Sequence, residues 1–576
     1  MQIRTAVDDS KLRSTFMIHR RPALRLRAGR IVFVLMPALL FTLSSAYALP
    51  PPSGPPAGGA QPIAGAGLPA KPRLDNRMFL PAIAGPIPYD WLQFDGDPQH
   101  SGNNVHETAI STVTVSSLQP LFSVSLPNTV DGAPVFLSVV NTANGVQDLL
   151  FATTMAGDVV ALDAHSGKQV WSRRHPATGC VINNISASGA CYTTSSPVID
   201  PNRQFVYAYG LDGYVHKHQV GDGTEIQAAG WPEPVTTKNF DEKGSSALSM
   251  ATAHDGVTYL YVVTAGYPGD PGDQGDYQGH VTAINLSDGT QHVFNALCSD
   301  QVDVHFVEPP HSPDCGDQQA GVWSRAGVVY DPATDRIYAT TGNGDFNPGQ
   351  HDWGDTVFAL NPNGTGVNGS PLDSYTPSDH QYLQDNDLDL GSTTLALLPV
   401  QAQSNVRHLA LQGGKDHSIH LIDLDNMSGH GGPGHVGGEV SPVWQAPIEG
   451  EMHTQPAVWV NPADGATWVF ITTYSGVVAY RVDYSSGTPY LDPVWTDDGG
   501  TSPLVANNVL FYASDDTLVA RDAGSGHLLW YSTQTMVVHW QSPVVINGIV
   551  YLADSGGHMN AYSLLAGAPH SPTDSH

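Results

Sequence analysis

Val160-Ala161-Leu162-Asp163-Ala164-His165-Ser166-Gly167-Lys168-Gln169-Val170-Trp171 returns near the other end of the chain as Val519-Ala520-Arg521-Asp522-Ala523-Gly524-Ser525-Gly526-His527-Leu528-Leu529-Trp530. Each copy reads as a strand ending at aspartate, a tight turn in which Gly167 or Gly526 takes positive φ, and a second strand closed by tryptophan. That is a β-hairpin. A hairpin of this kind cannot bury its own faces, so its copies have to stack on one another.

Between and around the two copies, three marks recur: a Ser-Pro-Val-like leading strand, a β-branched and aromatic second strand, and an Ala-Leu-Asp-like hairpin. Leading strands start at Ala133-Pro134-Val135, Ser196-Pro197-Val198, Arg325-Ala326-Gly327-Val328, Gly391-Ser392-Thr393, Gln455-Pro456-Ala457-Val458, Ser502-Pro503-Leu504-Val505 and Ser542-Pro543-Val544-Val545. A further unit is marked by Tyr259-Leu260-Tyr261-Val262-Val263 and Ala283-Ile284-Asn285. These units predict an all-β, eight-bladed propeller over residues 89–567, followed by a disordered tail at 568–576. The eighth unit stops after Leu565 without a tryptophan strand, while Leu121-Phe122-Ser123-Val124-Ser125-Leu126 is a spare strand ahead of the first. Joining the two closes the ring and removes its exposed edges.

The chain has 576 residues, 14% charged and 41% hydrophobic, with 59 glycines and 44 prolines that suit many short strands joined by turns. Arg20, Arg21, Arg25, Arg27 and Arg30 precede the apolar run Ile31 to Leu43 and the small-residue site Ala46-Tyr47-Ala48. This is the pattern of a signal peptide over residues 1–48, cleaved after Ala48, with an uncleaved anchor as the alternative. The mature protein is then expected to be periplasmic or secreted, with no stable membrane span. Residues 49–88 are rich in Pro, Ala and Gly and read as a linker. The net charge of −30 over the whole chain makes nucleic acid and anionic membranes unsuitable partners. Four cysteines fall in two close pairs, Cys180 with Cys191 and Cys298 with Cys315, which in an exported chain predicts two local disulfides. No Cys-x-x-Cys-His is present in the sequence, so attached c-type haem is excluded.

The Ala-x-Asp-x-x-Ser-Gly-Lys-x-x-Trp phrase, in eight copies behind a signal peptide, resembles the tryptophan-docking repeat of the pyrroloquinoline quinone (PQQ) dehydrogenases and their PQQ-binding-like propeller relatives. The resemblance spans about residues 90–565. Tyr330-Asp331-Pro332-Ala333-Thr334 with Ile337-Tyr338-Ala339-Thr340-Thr341-Gly342-Asn343 is similar to the family segment whose asparagine ligates calcium, which implies Asn343 as a metal ligand. Asp385-Asn386-Asp387-Leu388-Asp389-Leu390-Gly391-Ser392, with Gly413-Gly414-Lys415-Asp416, is similar to the region supplying the catalytic aspartate, which implies Asp385, Asp387 or Asp389. An anionic quinone needs cations and a flat surface; Arg325, Arg407 and Lys415, Trp323 and Trp540, and Gln455 are the residues available. In two respects the chain departs from the alcohol-oxidising members. Its cysteines are not adjacent, and Arg325 stands where those enzymes place the quinone-stacking tryptophan, two residues from Trp323. Trp323-Ser324-Arg325-Ala326-Gly327 also resembles the polymer-alcohol dehydrogenases.

Every one of these residues has a structural alternative. Asn343 between two glycines suits a left-handed turn, the aspartates a solvated loop, and His453 and His539 hydrogen-bonded packing. Trp171 and Trp530 are expected to dock blade on blade. The acidic insertion Gly269 to Asp276 is either a calcium loop or a solvated one. Two functions follow. One is a quinoprotein dehydrogenase that uses PQQ and Ca²⁺, oxidises a small alcohol or polyol, and passes electrons to a separate acceptor. The other is a noncatalytic cell-envelope scaffold that binds a protein or glycan.

Overall fold

The repeated hairpin is formed as its residues require. In blade 1, Asp158–Asp163 pairs with Gln169–Arg174 so that Ala161 faces Trp171, and Gly167 turns the chain with φ of +70°. In blade 7, Thr517–Asp522 pairs with Leu528–Ser532, Ala520 faces Trp530, and Gly526 has φ of +72°. The computed structural model describes residues 88–564, apart from 178, 182–189, 268–276, 307–314, 430, 439–443, 446–449 and 474. The segments read from the sequence as signal and tail, nearly all of that read as linker, and the acidic insertion Gly269 to Asp276 lie outside the described residues.

Eight sheets of four or five strands, each with an antiparallel four-stranded blade, follow one another along the described residues. Their leading strands are Val135–Thr142, Val198–Ile199, Ser249–Thr252, Val329–Asp331, Ala396–Leu397, Ala457–Val460, Leu504–Ala506 and Val544–Ile546. Blade 3 departs in detail from the sequence reading. Its leading strand, Ser249–Thr252, lies ahead of the first mark recognised there and carries no proline. Interior strands such as Val509–Ser514 are buried on both sides, because each blade is sandwiched between two others. Their sequences accordingly read as continuous apolar runs rather than alternating ones. In blade 8 the strand Gln119–Ser125 pairs with His558–Ser563, with Ser123 opposite Asn560, so the two ends of the propeller share one sheet.

The tryptophans hold neighbouring blades together through the hairpin glycines. Trp171 donates its indole N–H to the Val220 carbonyl at 2.9 Å, and its ring lies 2.6 Å from where a Cβ on Gly223 would stand. Trp495 repeats the contact on blade 7, bonding the Ala523 carbonyl at 3.0 Å and covering Gly526 at 2.6 Å. Where the ring closes, Phe122 covers Gly167 at 2.7 Å.

Residues 89–110 cross beneath the ring against the leading strands. Trp91 bridges Phe136 of blade 1 and Leu92 accepts from Ile199 of blade 2. Gln93 bonds both backbone groups of Met250, His100 bonds the Val328 carbonyl at 3.1 Å, and Gly102 accepts from Val505. Asn104 reaches the Val545 carbonyl of blade 8 at 2.6 Å.

Gly223→Ala is expected to destabilise the protein by about 1–3 kcal/mol, since it adds a methyl against the Trp171 indole at a residue with φ of +69°. Urea denaturation checks this, and an unchanged midpoint would show that the contact is dispensable.

Candidate functional site

The loops that lead into the first strands, together with the turns between second and third strands, wall a cavity of about 820 Å³. This is within the ordinary size of a cofactor site. One part of its wall is acidic. The short helix His380–Asn386 ends at Asp387, whose φ of 56° is left-handed and whose N–H bonds back to the Leu383 carbonyl. That reversal brings Asp387 and Asp389 onto Asn343. Asp389 Oδ1 accepts the Asn343 backbone N–H at 2.7 Å, and Asp387 Oδ1 accepts from Asn343 Nδ2 at 3.0 Å. Gly342 leaves room for this approach, because a Cβ there would stand 2.1 Å from Asp389 Oδ1. Asn343 Oδ1 is buried and has no hydrogen-bond partner among the described residues.

Lys415, from the turn after Leu409–Gly413, neutralises the pair. Its ammonium contacts Asp389 Oδ2 and lies 3.4 Å from Asp387 Oδ1. Burial works against its charge, yet the two carboxylates outweigh burial and hold the ammonium above its ordinary range. Burial, and then the charge of Asp389, raise the Asp387 carboxyl, with Lys415 opposing them. Behind the pair, Asp355 accepts the Leu390 N–H at 3.0 Å and is pushed well up, first by burial and then by Asp389.

A second part of the wall is aromatic. His453 lies between Trp323 and Trp540, with ring centroids 5.6 and 5.3 Å apart. Lys415 Nζ sits 5.3 Å from the Trp323 ring and the Arg325 guanidinium 5.6 Å from that of Trp540. Arg325 also donates to the Asp131 carbonyl at 2.9 Å. The Asp131 side chain accepts the Trp540 N–H at 3.1 Å and pairs with His539 Nδ1 at 2.9 Å.

Asn343, Asp387, Asp389, Lys415, Trp323, Arg325 and Trp540 thus line one cavity, as do Thr194, His539 and Gln541. Asp385 is at its rim, exposed, and accepts from Gln381 at 2.9 Å rather than joining the acidic pair. Two residues named from the sequence are elsewhere. Arg407 is exposed ahead of Leu409–Gly413, and the length of that strand, roughly 17 Å, separates it from Lys415 at the mouth. Gln455 is fully buried behind the wall, where its N–H donates to Ser502 Oγ at 3.0 Å. The sequence reading missed Lys243, Tyr192, Tyr267 and Tyr277, which also line the cavity. None belongs to a repeated phrase.

A family model of the glucose/ethanol/alcohol dehydrogenase β-propeller domain matches residues 91–367 of this eight-bladed ring. Over residues 91–367 the chain is thus similar to the PQQ-type propellers, within a ring of eight blades. A second family model of this PQQ-like propeller, that of outer membrane protein assembly factor BamB, matches residues 439–570. Among solved structures, the quinohemoprotein alcohol dehydrogenase of Pseudomonas putida is similar with a TM-score of 0.56 at 14% identity, covering 84% of this chain and 82% of that one. A europium-containing methanol dehydrogenase gives 0.54 at 14% identity, covering 82% and 98%. The quinohemoprotein alcohol dehydrogenase of Comamonas testosteroni gives 0.53 at 16% identity, covering 85% and 83%. At such identities the likeness to these PQQ-type propellers is one of fold. No curated protein sequence matches the chain.

Lys415→Met is expected to cost about 1–3 kcal/mol, because it leaves two partly buried carboxylates without their counter-ion. Adding Asp387→Asn should return part of that loss. Equal, additive losses in a double-mutant cycle would show that Lys415 and Asp387 do not interact.

Proposed function

We propose that this protein is an exported dehydrogenase that binds PQQ and a calcium ion in the propeller cavity and oxidises an alcohol or polyol. The observation that carries the reading is the buried, unpartnered Asn343 Oδ1 beside two carboxylates and an aromatic face. Calcium takes oxygen donors, and the amide oxygen of Asn343 with the carboxylate of Asp389 would hold it. When bound, the calcium-polarised quinone supplies the oxidant.

The chain's own residues do the rest. Trp323 and Trp540 offer flat surfaces for a planar ring, and Arg325 brings a guanidinium to the same place. Asp389 is fixed by the Asn343 N–H and the Lys415 ammonium, so it serves as a standing negative charge. Asp387, on the reversed end of its helix, takes the proton of the substrate hydroxyl. Its raised carboxyl makes it a stronger base than an exposed aspartate. Lys415 sits within reach of both and limits how far their charges repel. Electrons then leave to a separate acceptor. Two disulfides, Cys180 to Cys191 and Cys298 to Cys315, with Cα atoms 5.7 and 5.9 Å apart, support an oxidising compartment. Among the described residues no helix is long and apolar enough to cross a membrane.

The match of residues 439–570 to the BamB model favours a second reading, a noncatalytic scaffold of the cell envelope. Reconstitution separates the two. The full chain, incubated with PQQ and Ca²⁺, should acquire the absorption of bound quinone and reduce a dye with one or more members of an alcohol panel. Asp387→Asn should keep the absorption and lose about 10²- to 10⁴-fold in kcat. In the wild type the rate should fall as acid protonates Asp387. Absence of quinone binding at micromolar cofactor would leave the scaffold.

A further inference from the structure

Lys243 is buried in the cavity wall, 5% exposed, and its ammonium makes no hydrogen bond or ion pair with the described residues. Its place follows from a two-residue strand, Glu242–Lys243, paired with Ala265–Gly266. Successive side chains of a strand point to opposite sides. Glu242 turns into the protein, where it pairs with Lys238 at 3.7 Å and accepts the Gln278 N–H at 2.9 Å. Lys243 turns into the cavity. There its ammonium lies 3.9 Å from the ring of Tyr192 and 5.4 Å from that of Tyr267.

Cation–aromatic contact offsets only part of the cost of burying a charge. Two charged side chains act on Lys243 from neighbouring loops, Asp131 and Arg325, with opposite signs. Asp131 is already shared with His539 and Trp540. Lys415, by contrast, has two carboxylates beside it, Asp387 and Asp389. The cavity wall is therefore polarised: one part holds two carboxylates and one ammonium, and the other holds Lys243 and Arg325 beside one lining carboxylate, Asp131, that His539 and Trp540 already engage. A lysine kept buried at this expense, its amine open to a cavity and without a counter-ion among the described residues, marks the place of a ligand's anion.

We infer that Lys243 and Arg325 form a subsite of the cavity for a carboxylate group, carried either by the quinone cofactor or by an acidic sugar or polyol substrate. Its assignment to the cofactor rests on the function proposed above; the subsite itself rests on the buried, unpaired ammonium. Burial pushes that ammonium down to about 7, with Asp131 pulling it up and Arg325 pressing it further down. An anion bound against it restores its ordinary range, so at pH 8 binding must draw about one proton from the buffer.

Calorimetric titration of the full chain at pH 8, in buffers of different ionisation enthalpy, reads that proton. The probes are PQQ and galacturonate, and the chains are wild type, Lys243→Met and Lys243→Arg. The expected result is uptake of about one proton by the wild type, lost in Lys243→Met with roughly 10- to 100-fold weaker binding. Lys243→Arg should keep the affinity but not the uptake. Uptake with PQQ assigns the carboxylate to the cofactor. Uptake with galacturonate alone assigns it to a substrate, and the subsite stands while the quinone reading falls. PQQ binding without proton uptake, or with equal affinity in Lys243→Met, overturns the subsite and leaves the quinone reading. Binding of neither probe overturns both. Ligand-free Lys243→Met should melt at or above the wild-type temperature; a lower melting temperature would make Lys243 a structural brace and overturn the inference.

Discussion

An indole resting on a glycine of the next blade is the contact on which the ring depends. A four-stranded sheet has two apolar faces and no layer of its own to cover them, so each blade is stable only between two others. Trp171 on Gly223, Trp495 on Gly526 and Phe122 on Gly167 set how closely consecutive blades approach. The glycine serves twice at each contact. It allows the hairpin to turn with positive φ, and it leaves the flat surface on which the ring lies. The same contact recurs at the seam, where phenylalanine replaces tryptophan between the last blade and the first.

That regularity made the scaffold readable from the chain. A period shows itself only where the same physical demand is met repeatedly, and blade docking is such a demand. It located the leading strands in six blades, fell a few residues short of Ala396–Leu397 in the fifth, where Gly391-Ser392-Thr393 belongs to a 3-10 turn and the residue after it, and missed Ser249–Thr252 in the third. The cavity was readable only where a local phrase survives. Thr341-Gly342-Asn343 and the aspartates after the short helix stood out by their likeness to family segments, and Gly342 is the residue there that makes room for Asp389. Arg407 and Gln455 were misplaced for opposite reasons. A cation near the right sequence position does not reveal on which end of a strand it lies, and a polar residue at the head of a strand does not reveal whether it faces the cavity or the core.

Lys243 could not be found this way. Its importance lies in the counter-ion its ammonium lacks among the described residues, which is a property of three loops, bearing Asp131, Lys243 and Arg325, that are distant in sequence. The tyrosines around it, Tyr192 and Tyr267, come from two further loops. Repeats describe what the blades share, whereas the wall of the cavity is built from what they do not.

The segment that crosses beneath the ring has a consequence for how the molecule is assembled. Residues 89–110 are made first, yet Tyr89 bonds Asn547 across 458 positions, Asn104 bonds Val545 across 441, and Ser123 pairs with Asn560 across 437. Contacts at such separations form slowly, and these cannot form until the eighth blade exists. The earliest residues of the propeller are thus the last to find their places. The floor beneath the channel and the seam of the ring are completed together, and only from a chain that is already whole.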